Sequence, residues 1–189
     1  MHLPVNPICI IFLPANKYYM ILKVAAIIIL AILPAASTLY LSLPHPFDMH
    51  VAWLVENSEF EYNGEPYPSV SYHSTEDLQI IAYGSDRIVE AELAGRSIPK
   101  IKALYDHRNN RLLFLEGMDI RAEETAYIVV HELVHFLQNT NGITAQTECL
   151  PSLEKRAYML QLEWQEEHNH PGPYPNFLFV SLLASGCDR

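Results

Sequence analysis

Beyond residue 43 the chain passes through segments of helical and strand periodicity. Phe47 to Phe60 places Val51, Leu54 and Val55 at helical spacing and predicts a first helix. Asn63-Gly64-Glu65-Pro66-Tyr67-Pro68 is loop chemistry, and Ser69 to His73 follows as a short strand. Thr75-Glu76-Asp77 opens a helix that runs to about Tyr83 and closes at Gly84. Ile101 to Tyr105 and Arg111 to Leu115 flank a turn at 106–110 and form a predicted hairpin.

The longest apolar pattern comes next. Thr125 to Gln138 reads as one helix, with Asp119 a candidate cap and Glu123 and Glu124 suited to its first turn. Asn139-Thr140-Asn141-Gly142 is a stop signal, with Gly142 or Asn141 able to take the left-handed conformation. Pro151 favours a second helix starting nearby, over about Ser152 to Glu167. Pro171 to Pro175 is then a stiff turn before a last apolar segment, Phe177 to Ala184. Mixed helices and a small sheet or hairpin make this an α+β domain.

The first long helix carries chemistry as well as apolar residues. His131-Glu132-Leu133-Val134-His135 sets two imidazoles one turn apart on one face, a spacing that lets both reach a single tetrahedral Zn²⁺. Glu132, beside the first histidine, is placed to take a proton from a metal-bound water. The bland alternative is a satisfied core histidine plus a surface one. A stable zinc site needs a third protein ligand, and Glu148, Glu154, Glu163, His168 and His170 all lie downstream. A third histidine six residues after the second is absent, since Gln138 and Asn141 occupy that stretch, which excludes the metzincin arrangement.

Glu154 is favoured because two antiparallel helices can bring it opposite the histidine pair, with Ala157 small enough for close approach. Glu154, Tyr158, Gln161 and Gln165 share one helical face. Glu148, just ahead of Pro151, is the alternative ligand, or a surface charge compensating the helix dipole. Tyr158 is either a donor to a developing oxyanion or an amphipathic core tyrosine, the latter being the commoner case. His168 and His170 resemble an exposed helix end.

The spacing of H-E-L-V-H and, about twenty residues later, E-x-x-A resembles the gluzincin zinc peptidases. That resemblance implies Zn²⁺ as cofactor, His131, His135 and Glu154 as its ligands, Glu132 as general base, and a minimal zincin-like domain. It also implies a strand beside the active-site helix whose edge pairs with a peptide or protein substrate. More narrowly, H-E-L-V-H-F-L-Q followed by Cys149 and by Glu154, Ala157, Tyr158, Gln161 and Trp164 resembles a family of short exported bacterial proteins of unknown function. The resemblance covers roughly residues 98 to 165. A zinc-holding but non-catalytic envelope scaffold would use the same ligands, and a helical interaction domain without metal is the third class.

Composition bounds the setting. The first 47 residues contain no acidic group, and Val24 to Leu33 is an apolar run between Lys23 and Pro34-Ala35-Ala36-Ser37-Thr38. That is the layout of a secretory signal, with a leader over 1–37, a start possible at Met20, and export to the periplasm or the extracellular space. An uncleaved anchor over about Tyr18 to Leu43 is the alternative, against which Lys23 and Pro34 count. Residues 38–189 then form a single domain. It carries all 22 acidic residues and 10 of the 12 basic ones, which leaves it at −12 with histidines neutral. Such a surface argues against nucleic acid and anionic lipid as partners. Cys149 and Cys187 remain beyond the leader as a plausible disulfide.

Overall fold

The computed structural model describes residues 44–170, 172–175, 180 and 182. The leader and the Phe177 to Ala184 segment, apart from two of its residues, lie outside the described residues, as does Cys187 and with it the expected Cys149–Cys187 pairing. Among the described residues no helix is long and apolar enough to cross a membrane.

The domain is α+β. Helix α1 (Asp48–Glu56) leads to strand β1 (Ser69–His73), then α2 (Thr75–Tyr83) and α3 (Ser85–Leu93). Strands β2 (Ala103–Asp106) and β3 (Arg111–Leu115) precede a 3₁₀ turn (Glu123–Thr125) and α4 (Ala126–Thr140). A single-turn α5 (Ile143–Gln146) connects to α6 (Leu150–Glu167).

Helix α1 ends earlier than its periodicity predicts. Asn57 Nδ2 and Ser58 Oγ donate to the carbonyls of Trp53 and Leu54, taking the last turn's acceptors and turning the chain. Phe60 is thereby carried into the core, and Glu61 exchanges hydrogen bonds with the Asn141 side chain at the far end of α4. Helix α2 matches its signals. The Ser74 hydroxyl accepts from the Asp77 N–H at 3.1 Å, and Gly84, at φ +81°, ends the helix where a side chain would be strained. Helix α3, which the apolar pattern did not announce, buries none of its residues.

The strand order is β1-β3-β2, with β1 parallel to β3 and β2 antiparallel to it. The predicted hairpin is therefore two-thirds of a three-stranded sheet. Asp106 shapes its turn by accepting from the backbone N–H groups of Arg108 and Asn109 and from the Arg111 guanidinium at 2.8 Å. One sheet face, with Val70, Ala103, Tyr105, Leu112 and Phe114, joins the main core. Leu113 alternates to the other face, on which α2 packs with Leu78 fully buried.

Helix α4 lies against the sheet, α1 and α6 together, so residues 126 to 134 are all buried. Asp119 does not cap it. The Asp119 side chain accepts from the Arg121 N–H instead, and the chain enters α4 through the 3₁₀ turn. Gly142 supplies the left-handed residue at its end, at φ +74°.

Phe136 sits at the junction of these layers, fully buried against the rings of Tyr62, Tyr67 and Tyr105 at 6.2–6.3 Å between centroids. Phe136→Ala should lower the unfolding free energy by about 3–5 kcal/mol. Urea unfolding followed by circular dichroism measures this; a loss below about 1 kcal/mol would mean the junction does not organise the core.

Candidate metal centre

Helix α4 has neither glycine nor proline, and its i, i+4 geometry brings the rings of His131 and His135 together edge to face with centroids 5.0 Å apart. Helix α6 crosses that face with Ala157 fully buried, and no side chain bulkier than a methyl group holds the helices apart there. Glu154, three residues earlier, reaches both imidazoles. Its carboxylate oxygens lie 3.4 Å from His131 Nε2 and 3.3 Å from His135 Nε2, and the two Nε2 atoms are 3.3 Å apart.

Those separations bear directly on what the three groups can hold. Ligand bonds of about 2.0–2.2 Å at a tetrahedral angle put neighbouring donor atoms about 3.3–3.5 Å apart. The two imidazole nitrogens are spaced as two corners of such a tetrahedron, each has a different Glu154 oxygen at a similar distance, and the donor set is the nitrogen–oxygen mixture zinc accepts. His131 and His135 are well covered, whereas the Glu154 side chain is 46 % exposed, so the centre reaches solvent on the α6 side.

The remaining nitrogens of both rings are engaged. Gln161 Oε1 lies 3.1 Å from His131 Nδ1, and Gln138 Oε1 lies 2.8 Å from His135 Nδ1. The Tyr158 ring packs on His131 at 4.4 Å between centroids.

Charge is balanced locally. Burial pushes the Glu132 carboxyl above its usual range, with Glu154 adding to the shift and the two histidines and the Tyr105 backbone N–H opposing it. Burial also acts to raise Glu154, but its contacts with His131 and His135 outweigh that and hold it well below the carboxylate range. Burial alone would lower His135; Glu154 and then Glu132 reverse this and bring it to about 9. Tyr158 is raised by burial and by the charges of Glu154 and Glu132.

The structure thus brings together His131, His135 and Glu154, with Glu132 buried in the same helix. It does not bring in the other candidates. Glu148, Glu163 and His168 are exposed. His170 is not the exposed residue expected: it is buried between Trp164 and Tyr127, contacts the Glu123 carbonyl through Nε2, and accepts from the Gly172 N–H at 2.9 Å. Its burial comes from the chain folding back after α6, which local sequence does not display. Gln138 carries no metal-ligand signal in the sequence, yet its position three residues after His135 is the spacing at which the two can pair.

Fold and centre together define a small α+β domain with a pre-assembled His–His–Glu cluster. The chain belongs to the family described as Domain of unknown function (DUF6647), whose model matches residues 46–189. No curated protein matches the chain, and no solved structure does.

Metal analysis of purified protein should find about one zinc per chain after zinc loading and dialysis. His131→Ala and Glu154→Ala should each reduce this to a small fraction while the melting curve in chelator stays cooperative. Full retention of zinc by His131→Ala would remove that ring from the ligand set.

Proposed function

We propose that this protein is a zinc-dependent hydrolase that cleaves peptide bonds, with His131, His135 and Glu154 holding the metal and Glu132 acting as general base. The observation that carries the reading is that the Nε2 atoms of His131 and His135 lie 3.3 Å apart with one Glu154 oxygen 3.3–3.4 Å from each, and a buried carboxylate next to the first histidine. Bound there, Zn²⁺ supplies Lewis acidity, acidifying water and polarising a carbonyl group. Glu132 takes the proton from the attacking water and passes it to the departing amine. Its enclosure favours this, since burial increases a carboxylate's affinity for a proton. Tyr158, against His131 and beside both carboxylates, is a donor for the oxygen on which negative charge develops.

The sheet edge supports a peptide as substrate. β2 is an edge strand beside α4. The Leu115 N–H donates to the Lys102 carbonyl, so Lys102, Leu104 and Asp106 face β3, and Ala103 and Tyr105 turn their backbone groups to the outer edge, the Tyr105 N–H toward Glu132. An extended chain pairing there would run beside the helix that carries His131 and His135. A leader directing export, and a peptide or protein as partner in the periplasm or outside the cell, complete the proposal.

Glu132→Gln should keep zinc stoichiometry and lower the rate by about 10²–10⁴-fold, because it removes the proton acceptor without disturbing the ligands. A pool of quenched fluorogenic peptides incubated with zinc-loaded protein is the assay. A Glu132→Gln protein as active as the parent would remove Glu132 from the chemistry. A zinc-loaded parent that leaves the whole pool intact favours a metal-holding scaffold instead.

A further inference from the structure

Both histidines are oriented by glutamines, and the hydrogen bonds beyond those glutamines have a direction. Gln138 is 1 % exposed, and its Nε2 donates to the Leu153 carbonyl at 3.0 Å. A backbone carbonyl only accepts, so the amide nitrogen must be the atom that faces it. The amide oxygen then faces His135 Nδ1, and that nitrogen must carry a proton. The second chain is longer. Gln161 Nε2 donates to Gln165 Oε1 at 3.1 Å, and Gln165 Nε2 donates to the Pro173 carbonyl at 3.5 Å. It also ends on an obligate acceptor, which orients Gln165, then Gln161, and puts a proton on His131 Nδ1. All three amides are buried, and neither chain can be reversed without leaving two acceptors facing one another.

We infer that these two glutamine relays, anchored on the backbone carbonyls of Leu153 and Pro173, fix both histidines with Nδ1 protonated and so present both Nε2 lone pairs to one centre. The inference rests on the zinc reading and adds to it the residues that decide how tightly the metal is held. Gln138, Gln161 and Gln165 are positioning residues, not ligands. The first relay has a second consequence. Its anchor is the residue before Glu154, so one amide sets the ring of His135 and ties α4 to the turn of α6 that bears the third ligand. The neutral relays also orient the rings without adding a third carboxylate to a site that already holds Glu132 and Glu154.

The test compares the parent with Gln138→Met and Gln161→Met. Methionine keeps the bulk and removes the amide. Zinc affinity is read by competition with a chromophoric chelator. Melting in EDTA reports folding without metal, and ¹⁵N-resolved NMR of zinc-loaded protein reports imidazole N–H protons. We expect each methionine variant to bind zinc about 10–100-fold more weakly. The parent should show two exchange-protected Nδ1–H signals, and each methionine variant should lose protection of one. Methionine variants that hold zinc as tightly as the parent overturn the relays while leaving the zinc centre standing. A parent that takes up no zinc overturns both. Should a methionine variant not fold, the parent spectrum decides, because the absence of two protected Nδ1–H signals rules out the proposed tautomers.

Discussion

The structure depends on how four ionisable groups are accommodated where α4 meets α6. Removing a carboxylate or an imidazolium from water is expensive unless an opposite charge or a hydrogen bond replaces the lost hydration. Here each group has a compensating neighbour. Glu154 faces both histidines, the spare nitrogens of those histidines meet amide oxygens, and the Tyr105 backbone N–H counters the burial of Glu132. The environments of the two carboxyl groups push their proton affinities apart, Glu132 upward and Glu154 downward. Such divergence separates a group able to accept a proton from one suited to hold a cation.

That accommodation sets terms for the scaffold. The histidines need a helix that cannot rotate or slide, and α4 is confined on several sides by the sheet, α1 and α6. Its neighbours are themselves pinned. Phe136 meets three tyrosines, Asn141 bonds back to Glu61, and His170 fastens the segment after α6 to the turn that starts α4. Ala157 on α6 is a small, fully buried residue of the core that α6 shares with α4. The most deeply buried helix of the domain thus carries the two histidines and Glu132. By contrast, α3 buries nothing and contributes no side chain to it.

What the sequence made legible follows from the same division. β1, α2, the hairpin, the stop after α4 and the one-turn spacing of His131 and His135 were readable because each rests on a local signal: a cap, a left-handed glycine, a two-residue or a 3.6-residue repeat; Glu154 was legible only through the two-helix layout and the motif spacing. The reading failed where tertiary contacts decide. Ser85 to Leu93 has helix-forming residues but no buried stripe, so a pattern built on burial passes over α3. His170 sits beside a proline in sequence and looks exposed; Trp164 and Tyr127 enclose it only after the chain reverses. In α1 the residues Val51, Leu54 and Val55 set the period, while Asn57 and Ser58 set the end, short of the predicted Phe60.

The glutamines show the same limit from the chemical side. In a helix, the residue three positions after a histidine can reach its ring whatever its identity, and spacing alone does not say whether it will orient the ring or face solvent. Gln138 orients it because Leu153, across the helix interface, offers a carbonyl that only the amide nitrogen can satisfy. A carboxylate at 138 would also accept from the histidine, but it would face that carbonyl acceptor to acceptor in a buried site. The backbone of α6 therefore selects an amide over an acid at position 138, and that choice determines which nitrogen of His135 is free to meet a metal.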